Sequence, residues 1–183
     1  MNLIRRDEGT ITLLGHDNQR EERAAKLEIG VVLDECFFHD SLRPRDIDLI
    51  LSRIYQGWDS ALYQRYLSKF QLPERKFVKE FSRGMKMKLS LAAALSHRHK
   101  LLILDEATSG LDPIVRDEIL DEFLGFIQDD DHAILISSHI TSDLEKAADY
   151  ITYIHQGQVV LSDAKDRILD NYGRLACTAA QLN

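Results

Sequence analysis

The sequence is short of cysteine, of basic charge and of long apolar runs, and each shortage removes a class of function. Two cysteines, Cys36 and Cys177, among 183 residues give neither a disulfide framework nor a metal-ligand spacing, as expected for a reducing, cytoplasmic compartment. Lysine and arginine number 23 against 30 acidic residues, and the net charge of -7 argues against a general nucleic-acid binder, whose basic surface must displace counterions from phosphates. Runs such as "LSLAAAL" and "LLIL" fall far short of the roughly 20 residues that span a bilayer. The N-terminus carries no cleavable signal pattern, so a membrane role is expected only through a partner. Internal repeats and low-complexity stretches are lacking too.

What is present suffices for one sizeable core with a smaller lobe, since 44% of the residues are hydrophobic. Short aliphatic runs alternate with helical patterns. "TITLL" (Thr10 to Leu14), "EIGVVL" (Glu28 to Leu33), "LLILD" (Leu101 to Asp105) and "HAILIS" (His132 to Ser137) read as strands. The last two lack alternation, as expected where helices cover both faces of a parallel sheet. "YITYIHQGQVVLS" reads as a hairpin turning at Gln156-Gly157. Helical patterns fall at Pro44 to Tyr55, Ser60 to Phe70, Gly84 to Arg98, Pro113 to Gln128 and Thr141 to Ala148. Between Ser41 and Arg98 no strand is evident, so an all-helical lobe is inserted between sheet strands.

Candidate chemistry gathers at the ends of these elements. "LLILDEATSGLDP" ends a buried run on Asp105 and Glu106. If Leu101 to Leu104 is a central strand, these carboxylates sit at its carboxyl end, where open parallel sheets bind ligands. Asp105 suits a Mg²⁺ site and Glu106 is placed to polarise a water; capping of the following turn is the plainer alternative. "FSRGMKMKLSLAAALSHR" opens on Ser82, a good N-cap, and on Gly84, which admits a ligand to the backbone. Arg83, Lys86 and Lys88 crowd the first turns of that helix, against its dipole, and a docked anion would reverse the penalty. His139, ending "ILISSHI", could bond a phosphate or a water, or simply be structural.

Together and in this order, these segments resemble the nucleotide-binding subunits of ATP-binding cassette (ABC) transporters. "FSRGM" resembles the family signature, "LLILDE" Walker B, "SGLD" (Ser109 to Asp112) the D-loop and "SSHI" the switch-histidine loop, and the likeness runs to about Ser162. The wording "SRGMKMKLSLAAALS" and "SSHITSDLEKAADYITYIHQGQVVLS" is similar to bacterial exporter-type subunits, including those of antibiotic or peptide export. The resemblance implies an α/β P-loop NTPase core of mainly parallel sheet with an inserted all-helical subdomain. Its divisions are a partial core with the Q-loop region over 1-40, a helical subdomain and signature helix over 41-98, core again over 99-163, and a C-terminal tail over 164-183.

Residue by residue, the resemblance implies that Asp105 helps hold Mg²⁺, that Glu106 is the general base and that His139 contacts the γ-phosphate of ATP. Ser82, Arg83 and Gly84 would face the nucleotide of an opposite subunit in a homo- or heterodimer, and Asp112 would cross that interface. Asp34, or Glu35 one residue on, stands where the family has its Q-loop glutamine, a metal and coupling contact. The helical lobe would dock on an integral membrane subunit, placing the chain on the inner face of the cell membrane through that partner.

Departures accompany the likeness. Arg83 and Met85 replace a common glycine and glutamine of the signature, and Ala107 replaces a common proline. No Gly-Lys pair occurs anywhere in the sequence, so the Walker A loop that wraps phosphates in backbone N-H groups is not among these residues. The expectation is a cassette without its N-terminal portion, inactive as an isolated ATPase, with apolar surface left uncovered. A non-transport ABC ATPase, or a catalytically dead chain that binds another cassette, are the alternative readings.

Overall fold

The computed structural model describes residues 6-173, and Cys177 and the end of the expected tail lie outside them. The chain divides into two compact units, Met1–His139 and Ile140–Asn183.

The first unit opens with a small antiparallel pair, β1 (Thr12–Leu13) and β2 (His16–Asp17). The expected strand over Thr10 to Leu14 thus shrinks to two residues, because the backbone turns at Leu14 (φ 51°) and Gly15 (φ 85°). A short helix, α1 (Glu22–Leu27), leads to β3 (Ile29–Val32).

Next come α2 (Pro44–Ile54) and α3 (Ser60–Lys69), the body of the helical lobe. Pro44 occupies the first turn of α2, where no N-H is needed, and Arg43 N-H donates to Asp46 Oδ2 at 3.0 Å. Asp59 caps α3 by accepting from Leu62 N at 2.8 Å. One carboxylate ties the two helices: Asp48 Oδ1 on α2 accepts from Trp58 Nε1 and from Ser60 Oγ, each at 2.7 Å. Beneath them the Tyr63 ring is fully buried, and its hydroxyl donates to the Pro44 carbonyl at 3.2 Å. Burial raises the pKa of that phenol, which fixes it as a donor.

A 3₁₀ turn (Val78–Glu80) precedes α4 (Arg83–Ala94), followed by β4 (Leu101–Asp105), α5 (Pro113–Phe126) and β5 (Ala133–Ser137). Helix α4 stops at Ala94 rather than Arg98. The chain there is diverted: Ser96 Oγ donates to the Ala92 carbonyl at 2.6 Å, the Ser96 carbonyl accepts from Asp59 N at 2.7 Å, and His97 forms a lone bridge with Trp58.

Strands β3, β4 and β5 form a parallel sheet in that order. Leu102 and Leu104 of β4, Leu89, Leu91 and Ala92 of α4, and Ile119, Leu120 and Phe123 of α5 are buried core residues. Gly30 of β3 lies in close packing: a Cβ there would meet Leu102 Cδ1 at 2.9 Å and His99 Cδ2 at 3.1 Å. The expectation that both faces of β5 are covered is not met. Ala133, Leu135 and Ser137, which share one face of β5, are exposed, Leu135 by 59%.

At the amino-terminal edge of this sheet runs a line of rings, with His97 and His99 buried at its centre and Tyr55, Phe126 and His132 half-buried. Tyr55 stacks on His97 (centroids 4.4 Å apart), His97 lies 4.9 Å from His99, His99 stacks on Phe126 at 4.8 Å and Phe126 on His132 at 4.3 Å. His97 Nε2-H donates to the Ile29 carbonyl at 3.2 Å and His99 Nδ1-H to the His97 carbonyl at 2.8 Å. The opposite nitrogens, His97 Nδ1 and His99 Nε2, are buried and make no hydrogen bond among the described residues. Burial disfavours a second proton on either ring and lowers both pKa values, that of His99 to about 4.

The second unit comprises α6 (Thr141–Ala147), the antiparallel pair β6 (Tyr150–His155) and β7 (Gln158–Ala164), and α7 (Lys165–Asn171). The expected turn is where the dipeptide signalled it: Gln156 and Gly157 have φ of 49° and 75°, the paired positive values of a two-residue hairpin turn. No helix of the described residues is long and apolar enough to cross a membrane.

Candidate functional site

Because β3, β4 and β5 run parallel, the residues that follow their last pairs share one sheet edge. Asp34 follows β3, Asp105 and Glu106 end β4, and Ser137 to His139 end β5. The register sets Asp105 directly opposite Ser137.

Glu106 leaves the strand in the left-handed region, φ 50°, which a side chain other than glycine rarely adopts. Its N-H turns toward β5 and donates to the Ser137 carbonyl at 3.1 Å and to Ser137 Oγ at 3.2 Å. The side chain is half-buried, and its Oε2 lies 2.6 Å from His139 Nδ1. Asp105 is exposed, with Oδ1 accepting from Ser137 Oγ at 2.5 Å. Two adjacent carboxylates thus meet groups from the end of β5, some 30 residues on: Asp105 the Ser137 hydroxyl and Glu106 the His139 ring. Asp34 and Glu35 are exposed beyond β3, and Asp34 has no hydrogen bond or ion pair among the described residues. The arrangement can hold a hard divalent cation through Asp105 and direct a water through Glu106.

A second group lies at the starts of α4 and α5. Ser82 Oγ accepts from Met85 N at 3.2 Å, and Asp112 Oδ1 accepts from Val115 N at 3.1 Å, so both are occupied as helix caps. The two starts touch. A Cβ on Gly84 would lie 3.4 Å from Val115 Cγ1, and one on Gly110 (φ 67°) would lie 3.0 Å from the Arg83 guanidinium carbon. Two of the three cations expected to crowd the start of α4 are already paired. Lys86 pairs with Asp40 at 3.1 Å and Lys88 with Glu118, so neither waits for an anion. Arg83 alone is exposed with no ion pair among the described residues.

Residues 1–109 match the family model described as ABC transporter. The chain belongs to the ABC transporter family. It is 33% identical over 166 residues to the lantibiotic transport ATP-binding protein of Streptococcus pyogenes, covering 90% of this chain and 70% of that one. Against the bacitracin transport ATP-binding protein of Enterococcus faecalis it is 32% identical over 155 residues, 84% of this chain and 50% of the relative. The ABC chain thus spans between half and about two thirds of the length of these relatives. Its fold is that of a solved dimeric ATP-binding cassette bound to ADP and phosphate: TM-score 0.73, 19% identity, 86% of this chain and 74% of the other covered.

Within the ABC chain, the fit of the implied Mg²⁺ can be judged from the donors present. No cluster of three or more His, Cys, Asp or Glu side chains able to hold a metal occurs among the described residues. Mg²⁺ is usually bound by one or two carboxylates together with nucleotide phosphates and water rather than by a protein cage. Asp105, with one oxygen already held by Ser137, fits that demand.

An apolar cleft of about 400 Å³ opens elsewhere in the first unit, lined by Ile29, Val31, Phe37, Leu51, Tyr55 and Ala93. Sequence reading missed Ser137. It was visible only as the first serine of "SSHI", and its link to Asp105 needs the strand register, which no local pattern carries.

Proposed function

We propose that this chain supplies the water-directing, metal-holding and partner-facing residues of an exporter-type ABC ATPase subunit. The observation that carries the reading is the Glu106 carboxylate, held 2.6 Å from His139 beside Asp105 at the carboxyl edge of a parallel sheet. In this reading Glu106 is the general base and His139 orients its carboxylate and meets the terminal phosphate. Asp105, with Asp34 at the same edge, holds Mg²⁺, which when bound neutralises phosphate charge. Ser82, Arg83 and Gly84 face the nucleotide of a second cassette, and Asp112 crosses to it. The contact of Arg83 and Gly84 with Gly110 and Val115 supports this, because it makes the two partner-facing segments one surface.

The named functions of the relatives, bacitracin and lantibiotic transport, support export as the work to which hydrolysis is coupled. The apolar cleft between β3 and the helical lobe supports docking of that lobe on a membrane-spanning subunit, which would hold the chain at the inner membrane face. Calorimetry of Mg·ATP with the purified chain tests the reading, using Glu106→Gln as a variant that keeps the amide-compatible shape but cannot take a proton. Binding to both, with turnover only in the parent when a cassette whose own general base has been replaced by glutamine is added, is the expected result. Turnover that survives Glu106→Gln would remove Glu106 from the role of base.

A further inference from the structure

The hydroxyl of Ser137 meets two polar groups at once. Oγ donates to Asp105 Oδ1 at 2.5 Å and accepts from Glu106 N-H at 3.2 Å. The direction of both bonds is forced: an amide can only donate, so the single hydroxyl proton goes to the carboxylate. Ser137 is itself fixed, being paired with Asp105 in the strand register. Asp105 Oδ2 is left with no protein partner among the described residues. Glu106, in its left-handed turn, is tethered on the same serine through both carbonyl and hydroxyl.

We infer that Ser137 is a positioning residue for the cation site: its hydroxyl orients Asp105 toward the metal while anchoring the turn that presents Glu106. The inference rests on the reading of Asp105 as a metal-holding carboxylate. It is separable from a role in folding, because the hydroxyl is exposed and the bond from Glu106 N to the Ser137 carbonyl survives its removal. Partners that orient a metal-binding side chain typically change metal affinity by about 10- to 100-fold when lost.

The test needs no turnover. Mn²⁺, a hard divalent cation with the same taste for oxygen ligands, is titrated into the purified chain with and without ATP, and paramagnetic broadening of the Asp105 and Glu106 amide signals is followed. Ser137→Ala should raise the half-broadening concentration about tenfold, with signals elsewhere unmoved, and Ser137→Thr, which keeps the hydroxyl, should restore it. Equal titrations in all three proteins would overturn the role of Ser137 while leaving the metal reading intact. Absence of localised broadening in the parent chain would overturn the metal reading at Asp105 and this inference with it.

Discussion

Acid should weaken this fold chiefly through one ring, His99, with the neighbouring His97 acting in the same direction. His99 is buried between His97 and Phe126, donates one N-H to a carbonyl and has its other nitrogen shut away from any acceptor. Burial holds its pKa at about 4, against 6.5 for an unfolded histidine. Between those values the unfolded chain binds a proton that the folded chain refuses, so stability falls as pH drops from 6.5 toward 4. Almost none of the loss is present at pH 7.5, while at pH 5.0 it reaches about 2 kcal/mol. With a urea dependence of about 1–3 kcal/mol per molar, the unfolding midpoint should fall by roughly 1 M between those two conditions. His99→Phe keeps an aromatic ring in the stack and removes the titration. It should be somewhat less stable at pH 7.5, having lost a hydrogen bond, yet lose clearly less on going to pH 5.0. Equal losses in variant and parent would refute the argument and assign the acid sensitivity to other groups.

Two further predictions concern packing. Gly30→Ala forces a methyl group into contact with Leu102 and His99. It should cost about 1–3 kcal/mol, seen as a lower Tm in a thermal melt; an unchanged Tm would show that the sheet yields freely there. Asp48→Ala removes the acceptor shared by Trp58 and Ser60, leaving a part-buried indole N-H unpaired at a cost of about 1–3 kcal/mol. Since Trp58 is the only tryptophan, its emission should move in the folded state, and an unmoved spectrum would mean that the indole keeps a partner.

Sequence reading reached far where local chemistry is decisive. "LLILD" and "HAILIS" have strand composition and length, and both form parallel strands, while Gln156-Gly157 turns the hairpin as its freedom at positive φ requires. The site was legible as far as its carboxylates and histidine stand at strand ends. What escaped depends on contacts far apart in the chain. The six-residue α1 buries only Ala25 and lacks a side-chain cap, so it carries no amphipathic period to find. The early end of α4 is imposed by Asp59 and Trp58, some 40 residues upstream. Lys86 looked like one of three idle cations because its partner, Asp40, is 46 residues away. The open face of β5 was hidden because composition shows what a strand would prefer to bury, and only the folded packing shows what lies against it.

The left-handed backbone at Glu106 bears on how the site can be dissected. A position at φ 50° discriminates among replacements by shape before any chemistry is considered. Glutamine inherits the strain that glutamate already tolerates, asparagine and glycine relax it, and valine or isoleucine add the clash of a branched Cβ. A loss of activity in Glu106→Val would therefore confound a vanished carboxylate with a displaced turn that drags on Ser137, Asp105 and His139 together. Paired replacements by glutamine and asparagine, equal in lost charge but opposite in backbone ease, would let geometry and proton transfer be read apart at a single residue.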